Sequence, residues 1–219
     1  MRTAVIFDVD GTLVDTNYHH TVAWFRAFRQ YGVTVASWRI HRAIGMGGDR
    51  LVSEVAGPEV EAKFGDALRD AWQRIFDPML GEIVTLSGAH DLVAATKQRG
   101  FTTAFASSGA PDHVKHYLGL LDVGEWLDDC ITSEDVSATK PAPDLIQVAL
   151  SRVKADNGVL IGDSVWDCAA AEQAGIPCVA LLSGGFSEAE LLDAGAVSVF
   201  GSLPELREDL ASLPTGRPG

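Results

Sequence analysis

The sequence predicts an α/β protein: a doubly wound parallel sheet into which an all-helical cap is inserted. Three observations predict it. The chain opens on a short apolar run, Thr3 to Phe7, that reads as a buried strand. From residue 86 onward strand and helix patterns alternate, as a parallel sheet covered on both faces requires. Between the two, residues 16–85 show helical periodicity and no convincing strand. The expected division is a core of residues 1–15 and 86–219 with a cap of residues 16–85.

Taken in order, Asp10-Gly11-Thr12 gives a turn signal after the first strand. Val22, Trp24, Phe25 and Phe28 then recur at helical spacing between Asn17 and Tyr31, and Gly32 ends that helix. This stripe reads as cap core. Short helices are expected over Trp38–Ile44 and Arg50–Val55, and a longer one over Pro58–Phe76, with Pro58 suited to its first turn. After Ser87-Gly88, helices are expected at Ala89–Arg99, Pro111–Leu118, Pro143–Val153, Val165–Ala174 and Pro204–Leu210. Strands are expected at Phe101–Ala106, Asp129–Thr132, Val159–Ile161, Cys178–Leu182 and Val197–Phe200. Lys97 and Arg99 suit a helix C-terminus, and Gly100 and Gly175 suit helix stops. The tail Pro214 to Gly219 reads as disordered.

The 219 residues suffice for one large domain or a core with an insertion. Hydrophobic residues make up 47% and charged residues 21%, ordinary for a soluble globular chain. No apolar stretch spans a bilayer and the first run is too short for a signal peptide, so no membrane partner and a cytoplasmic location are expected. The net charge of -13 argues against nucleic acid, whose phosphates need a basic surface. Cys130, Cys168 and Cys178 show no paired spacing and read as buried free thiols.

Open parallel sheets bind ligands at the carboxyl ends of their strands. Four junctions there carry polar residues. In Asp8-Val9-Asp10-Gly11-Thr12-Leu13, two carboxylates two residues apart share one side of an extended chain and want a cation or a shared proton. Gly11 lets the chain turn and offers its N–H to an anion. In Ala106-Ser107-Ser108-Gly109, hydroxyls at a strand end suit a phosphate, or else Ser108 caps the next helix. In Lys140-Pro141-Ala142-Pro143, the lysine either faces the site or lies on the surface of a proline turn. In Gly162-Asp163-Ser164-Val165-Trp166-Asp167, an apolar strand delivers Asp163, and Asp167 follows one helical turn later. One of Ser164 and Asp167 is expected to cap that helix. Together these are the groups that Mg²⁺ and a phosphate need.

These junctions resemble the four motifs of the haloacid dehalogenase superfamily, specifically its phosphatases with a helical cap after the first motif. The match covers nearly the whole chain, and Asp-x-Asp-Gly-Thr-Leu is its strongest part. The resemblance implies a Rossmann-like core and an enzyme that hydrolyses a small phosphorylated metabolite, phosphoglycolate-like or a sugar phosphate. It implies Asp8 as nucleophile and Asp10 as acid and base, with a raised pKa. It implies Mg²⁺ held by Asp8, the Asp10 carbonyl and Asp163, with Asp167 supporting the metal site from behind. Ser107 with nearby N–H groups would bind the phosphoryl oxygens, alongside Ser108 and Gly11, and Lys140 would steady the charge.

Asp10 argues against dehalogenation, because dehalogenases of the superfamily lack that second aspartate. The cap loop Gly45 to Arg50 has no lysine for the Schiff base that phosphonatases use. The third motif departs mildly from the common Gly-Lys-Pro, reading Thr139-Lys140-Pro141. Asp15, Thr16, His20 and Trp24 are similar to the β-phosphoglucomutase pattern, but Arg50 is displaced from that pattern's cap arginine, which disfavours a mutase. His20 either couples cap closure to Asp10 or is a hydrogen-bonded hinge histidine, the reading preferred here. Arg50 either grips a substrate anion or is a solvated helix residue. His41 and Arg42 read as exposed. A non-enzymatic phospho-accepting receiver would also gather aspartates, a hydroxyl and a lysine at strand ends, but it would lack the insertion.

Overall fold

The computed structural model describes residues 2–214. Of the tail expected to be disordered, 214–219, all but Pro214 lies outside the described residues. Six strands form one parallel sheet: β1 (Thr3–Phe7), β2 (Thr102–Ala106), β3 (Asp129–Ile131), β4 (Asn157–Gly162), β5 (Cys178–Leu181) and β6 (Ala196–Phe200). Their order is β3-β2-β1-β4-β5-β6. The chain builds outward from β1 through β2 to β3, then returns to the other side of β1 as β4. The order therefore reverses between β1 and β4, the point where such sheets open a crevice at their carboxyl ends.

The central strands are apolar on both faces because both faces are covered. Val5 and Phe7 of β1 pack on one side with Val159, Ile161 and Phe105. Ala4 and Ile6 pack on the other with Leu160, Ala104 and Ala106. The first face is covered by α5 (Ala89–Gln98), α6 (Pro111–Leu121) and α10 (Leu203–Glu208), the second by α7 (Asp144–Arg152), α8 (Val165–Ala174) and α9 (Glu188–Asp193). Each fully buried Phe, Ile or Leu contributes about 1.5–3 kcal/mol.

Helices α1 (Asn17–Gln30), α2 (Ser37–Ala43), α3 (Gly48–Ala56) and α4 (Pro58–Phe76) lie between β1 and α5 in the chain. They enclose a separate apolar cluster of Trp24, Phe28, Ile40, Leu51, Val52 and Leu68. Val22, expected in that cluster, is exposed, since it lies on the far side of α1 from Trp24. The helix α9 was not anticipated from the sequence, although Ser187 and Glu190 form the capping box that starts it. Cys168 and Cys178 are buried and Cys130 is half-buried, all three free. Among the described residues, no helix is long and apolar enough to cross a membrane.

Candidate active site

The carboxyl ends of β1 and β4 bring Asp8 and Asp163 together, and the end of β2 brings Ser107 to Asp10. The β1 register pairs Phe7 with Ile161 of β4 and with Phe105 of β2, so the residues that follow all emerge at one edge. The Asp8 N–H donates to the Ile161 carbonyl at 2.8 Å, which fixes where its side chain leaves the sheet.

Asp8, Asp163 and Asp167 form a buried acidic cluster, each offering an oxygen within 4.8 Å of the others. Lys140 Nζ, itself fully buried, is bonded to Asp8 Oδ1 and lies 2.8 Å from Asp167 Oδ1. The alternative of a surface lysine is thereby set aside. Burial would depress the Lys140 pKa, but Asp167 and Asp8 outweigh it and hold the ammonium above its ordinary value. One cation does not balance three carboxylates. Burial, with Asp167 beside it, pushes Asp163 up to about 7. Burial also carries Asp8 well above its ordinary value, against the pull of Lys140. An all-oxygen cluster short of positive charge fits a hard divalent cation such as Mg²⁺.

Two neutral donors that the sequence reading did not single out steady this cluster. The Thr12 hydroxyl lies 2.9 Å from Asp163 Oδ1 and 3.3 Å from Asp8 Oδ2, and Asn17 Nδ2 donates to Asp163 Oδ2 at 2.9 Å. Thr12 was visible in the motif, but Asn17 carries no local signal beyond opening a helix. Asp167 also caps α8: its Oδ2 accepts from the Ser164 N–H at 3.1 Å and from the Ser164 hydroxyl at 2.5 Å. Both Ser164 and Asp167 therefore serve the cap, where one had been expected.

The Asp10 carboxylate points away from the acidic cluster. Its Oδ1 accepts from the Thr16 hydroxyl at 2.9 Å and lies 3.0 Å from His20 Nε2. Its Oδ2 accepts from the Ser107 hydroxyl at 3.2 Å. Burial alone would raise the Asp10 pKa, but His20, Thr16 and Ser107 together hold it below the ordinary value. This corrects the expectation of a raised pKa: three donors face the charged form. His20 is stacked flat on Phe76, ring centres 4.1 Å apart, and on Trp72 at 5.5 Å.

Several sequence readings change here. The Gly11 N–H is not free for an anion, because it donates to the Val14 carbonyl at 2.9 Å as the turn closes on itself. Gly11 is required instead for its φ of +77° and for space: a Cβ there would sit 2.3 Å from both Asn17 Nδ2 and Asp163 Oδ2. Ser108 does not cap a helix, since Ala110 holds that position in α6. Its hydroxyl donates instead to the Gly45 carbonyl at 3.3 Å. Arg50 points outward, half exposed, with its nearest acid Asp49 at 3.8 Å. His41 and Arg42, read as exposed, bridge cap to core: His41 Nε2 is 3.0 Å from the Gly184 carbonyl and Arg42 meets Glu190 at 2.5 Å.

The family model described as haloacid dehalogenase-like hydrolase matches residues 5–181, spanning every one of these junctions. The chain belongs to that family. It is thus a hydrolytic enzyme, and similar proteins bear phosphatase names. The chain is 28% identical over 195 residues to the validoxylamine A 7'-phosphate phosphatase of Streptomyces hygroscopicus subsp. limoneus, covering 86% of this chain and 90% of that one. It is 30% identical over 193 residues to a plasmid phosphoglycolate phosphatase of Cupriavidus necator, covering 84% and 82%. A solved hydrolase from Pseudomonas syringae superposes with a TM-score of 0.91 at 31% identity, covering 97% of this chain and 99% of that one.

Proposed function

We propose that this haloacid dehalogenase-like hydrolase is a Mg²⁺-dependent phosphatase that cleaves a small phosphate monoester through an aspartyl phosphate on Asp8. The observation that carries this reading is the division of the site into two. Asp8 sits in a buried acidic cluster with Lys140, whereas two residues on Asp10 is bound to His20, a group that can hold a proton. A nucleophile and an acid/base need such different surroundings. The two relatives named above, both phosphatases, support the same reading.

In this reading Asp8, Asp163 and the Asp10 carbonyl would hold Mg²⁺, with Asp167 behind them, and the ion would supply positive charge against the repulsion between carboxylate and phosphoryl oxygens. Lys140 shares that task as a fixed charge. An Asp8 oxygen attacks phosphorus while the ester P–O bond breaks, and the departing oxygen takes the proton held on the Asp10–His20 pair. Asp10 then accepts a proton from the water that attacks the aspartyl phosphate, releasing phosphate and restoring Asp8. Ser107 and Ser108, with neighbouring N–H groups, position the phosphoryl oxygens once their hydroxyls turn from Asp10 and the Gly45 carbonyl toward the bound group. Residues 16–85 act as a cap domain over the core formed by 1–15 and 86–219, excluding bulk water. A small soluble substrate and three free cysteines suit a cytoplasmic enzyme.

The test is a screen of phosphate esters with Mg²⁺, run in parallel on Asp8→Asn. Phosphate release that vanishes in the variant is expected. Turnover retained by Asp8→Asn would remove the aspartyl phosphate from the mechanism.

A further inference from the structure

Two cavities meet above Asp8 and Asp10. The inner one has a volume of about 60 Å³ and is bounded by Asp8, Asp10, His20, Trp24, Leu51 and Trp72, among others. The outer one has about 330 Å³ and shares Gly48, Trp72, Ser108 and Gly109 with the first. Small-molecule sites occupy roughly 300–1,000 Å³. The inner space is far below that range, so a substrate with its phosphoryl group at Asp8 must extend its remainder into the outer cavity.

The charge of that outer wall is the informative property. Among the described residues, no Lys or Arg lines the inner cavity, and its one basic side chain, His20, is already bound to Asp10. Among the described residues, Arg69 is the one cation lining the outer cavity, and two acids, Asp49 and Asp70, line it as well. Both terminal nitrogens of Arg69 are engaged. They bond both Glu61 oxygens at 2.8 and 3.2 Å, Asp66 at 2.8 Å and the Gly48 carbonyl at 3.0 Å. The remaining polar lining consists of neutral groups, the amide of Gln73 and the hydroxyls of Ser108, Ser133, Ser137 and Thr139, of which Ser108 is bonded to Gly45 and Thr139 to Gly47 and Asp49. Trp72, which lines both cavities and stacks at 5.4 Å on Trp24 of the inner one, supplies an apolar ring beside them.

A second carboxylate or phosphate on the substrate would enter this cavity against two acids and with no free cation to pair with. Such a juxtaposition costs binding, whereas a substrate hydroxyl can pair with the carboxylates of Asp49 and Asp70, the Gln73 amide and the Ser133 and Ser137 hydroxyls. We infer that the leaving group is an uncharged, hydroxyl-rich alcohol, a polyol or a sugar, and that the outer cavity selects against substrates bearing a second anion. This inference rests on the phosphatase reading above and narrows it: between the phosphoglycolate-like and sugar phosphates expected from the sequence, it chooses the second.

The experiment compares kcat/KM, with Mg²⁺ present, for sorbitol 6-phosphate and glucose 6-phosphate against 2-phosphoglycolate, 3-phosphoglycerate and fructose 1,6-bisphosphate. p-Nitrophenyl phosphate reports the chemistry independently of leaving-group recognition. The uncharged leaving groups are expected to lead by at least about tenfold, the scale of one unfavourable charge contact at a partly exposed site. Asp70→Arg and Gln73→Lys, both at exposed positions on the outer wall, are expected to narrow that lead by roughly threefold or more through a lower KM for the anionic esters. Anionic esters turned over as well as the neutral ones, or a lead untouched by both variants, would overturn the inference while leaving a phosphatase that cleaves p-nitrophenyl phosphate. No turnover of any ester, p-nitrophenyl phosphate included, would overturn the phosphatase reading itself and this inference with it.

Discussion

Lys140 Nζ and Asp167 Oδ1 lie 2.8 Å apart with both side chains closed to solvent, and the same ammonium is bonded to Asp8. The pair ties the segment that leads into α7 to the first turn of α8. Breaking a buried pair by removing one partner costs about 3–5 kcal/mol, because the other charge stays behind unpaired. Lys140→Met should therefore lower stability by about that amount in urea titrations with EDTA present, and it should abolish phosphate release. An unchanged midpoint would show that Lys140 does not hold the acidic cluster together.

Mg²⁺ should stabilise the folded protein, because the cluster of Asp8, Asp163 and Asp167 is short of positive charge. At about 100 times its Kd, a ligand adds about 2.7 kcal/mol, or roughly 5–11 °C in Tm for a chain of this size. Thermal melts with and without EDTA measure this directly, and Asp163→Asn should remove most of the shift. An equal shift in that variant would place the ion elsewhere.

Gly11→Ala tests the tightest point of the site. The backbone there has a φ of +77°, and the new Cβ would meet Asn17 and Asp163 at 2.3 Å. The strain should cost about 1–3 kcal/mol. Because Asn17 and Asp163 must move, the Mg²⁺ response should weaken as well. Stability and metal response both at wild-type levels would contradict this packing.

Thr139 replaces the glycine common in the third motif of the family, and its hydroxyl has a use. It donates to Asp49 Oδ1 and accepts from the Gly47 N–H at 3.1 Å, tying the cap loop to the core beside Lys140. Thr139→Val keeps the shape and removes this tie. A loss of about 1–2 kcal/mol corresponds to roughly 5–30-fold faster amide exchange at Gly47. Mass-spectrometric exchange over the 45–49 loop reads it, and unchanged exchange would mean that the tie does not hold the loop.

Asp128 gives a prediction in pH. Its carboxylate is bonded to Lys97 at 2.5 Å and accepts from the Thr103 N–H at 2.8 Å. Partial burial works against these donors, yet they hold its pKa below the ordinary value. A group depressed on folding contributes stability above its unfolded pKa, about 3.9, and loses it as pH falls through the folded value. The stability gap between wild type and Asp128→Asn should therefore be full at pH 6 and shrink below about pH 4. A gap constant down to pH 2 would show that the ion pair contributes nothing.

Much of the fold was legible because its signals are local. The Pro58–Phe76 and Val165–Ala174 helices appear at the bounds their own residues announce, by Pro58 at a first turn and Gly175 at a stop. The apolar run of β1 could be read as buried on both faces from its composition alone. The helix α9 was missed because six residues carry little periodicity. At the site, Asp8, Asp163 and Lys140 were legible because each follows a strand or precedes a proline turn. The two readings of Arg50 stayed open and Asn17 was overlooked because the direction of a side chain on a helix depends on how that helix is rotated against its neighbours.

The sequence by itself determined the order of the strands and of every helix but α9, the insertion and the four polar junctions, since propensity, periodicity and turn chemistry act over a few residues. Only the tertiary structure decided how those junctions divide the work. It buried Lys140 among three carboxylates and turned Asp10 away from them toward Thr16, His20 and Ser107. It also left the outer cavity with two acids and one engaged arginine. Charge interactions fall off over a few ångströms in space and are indifferent to separation in sequence. Which groups meet, and so which protons and anions the site can hold, is fixed when the sheet and the cap close together.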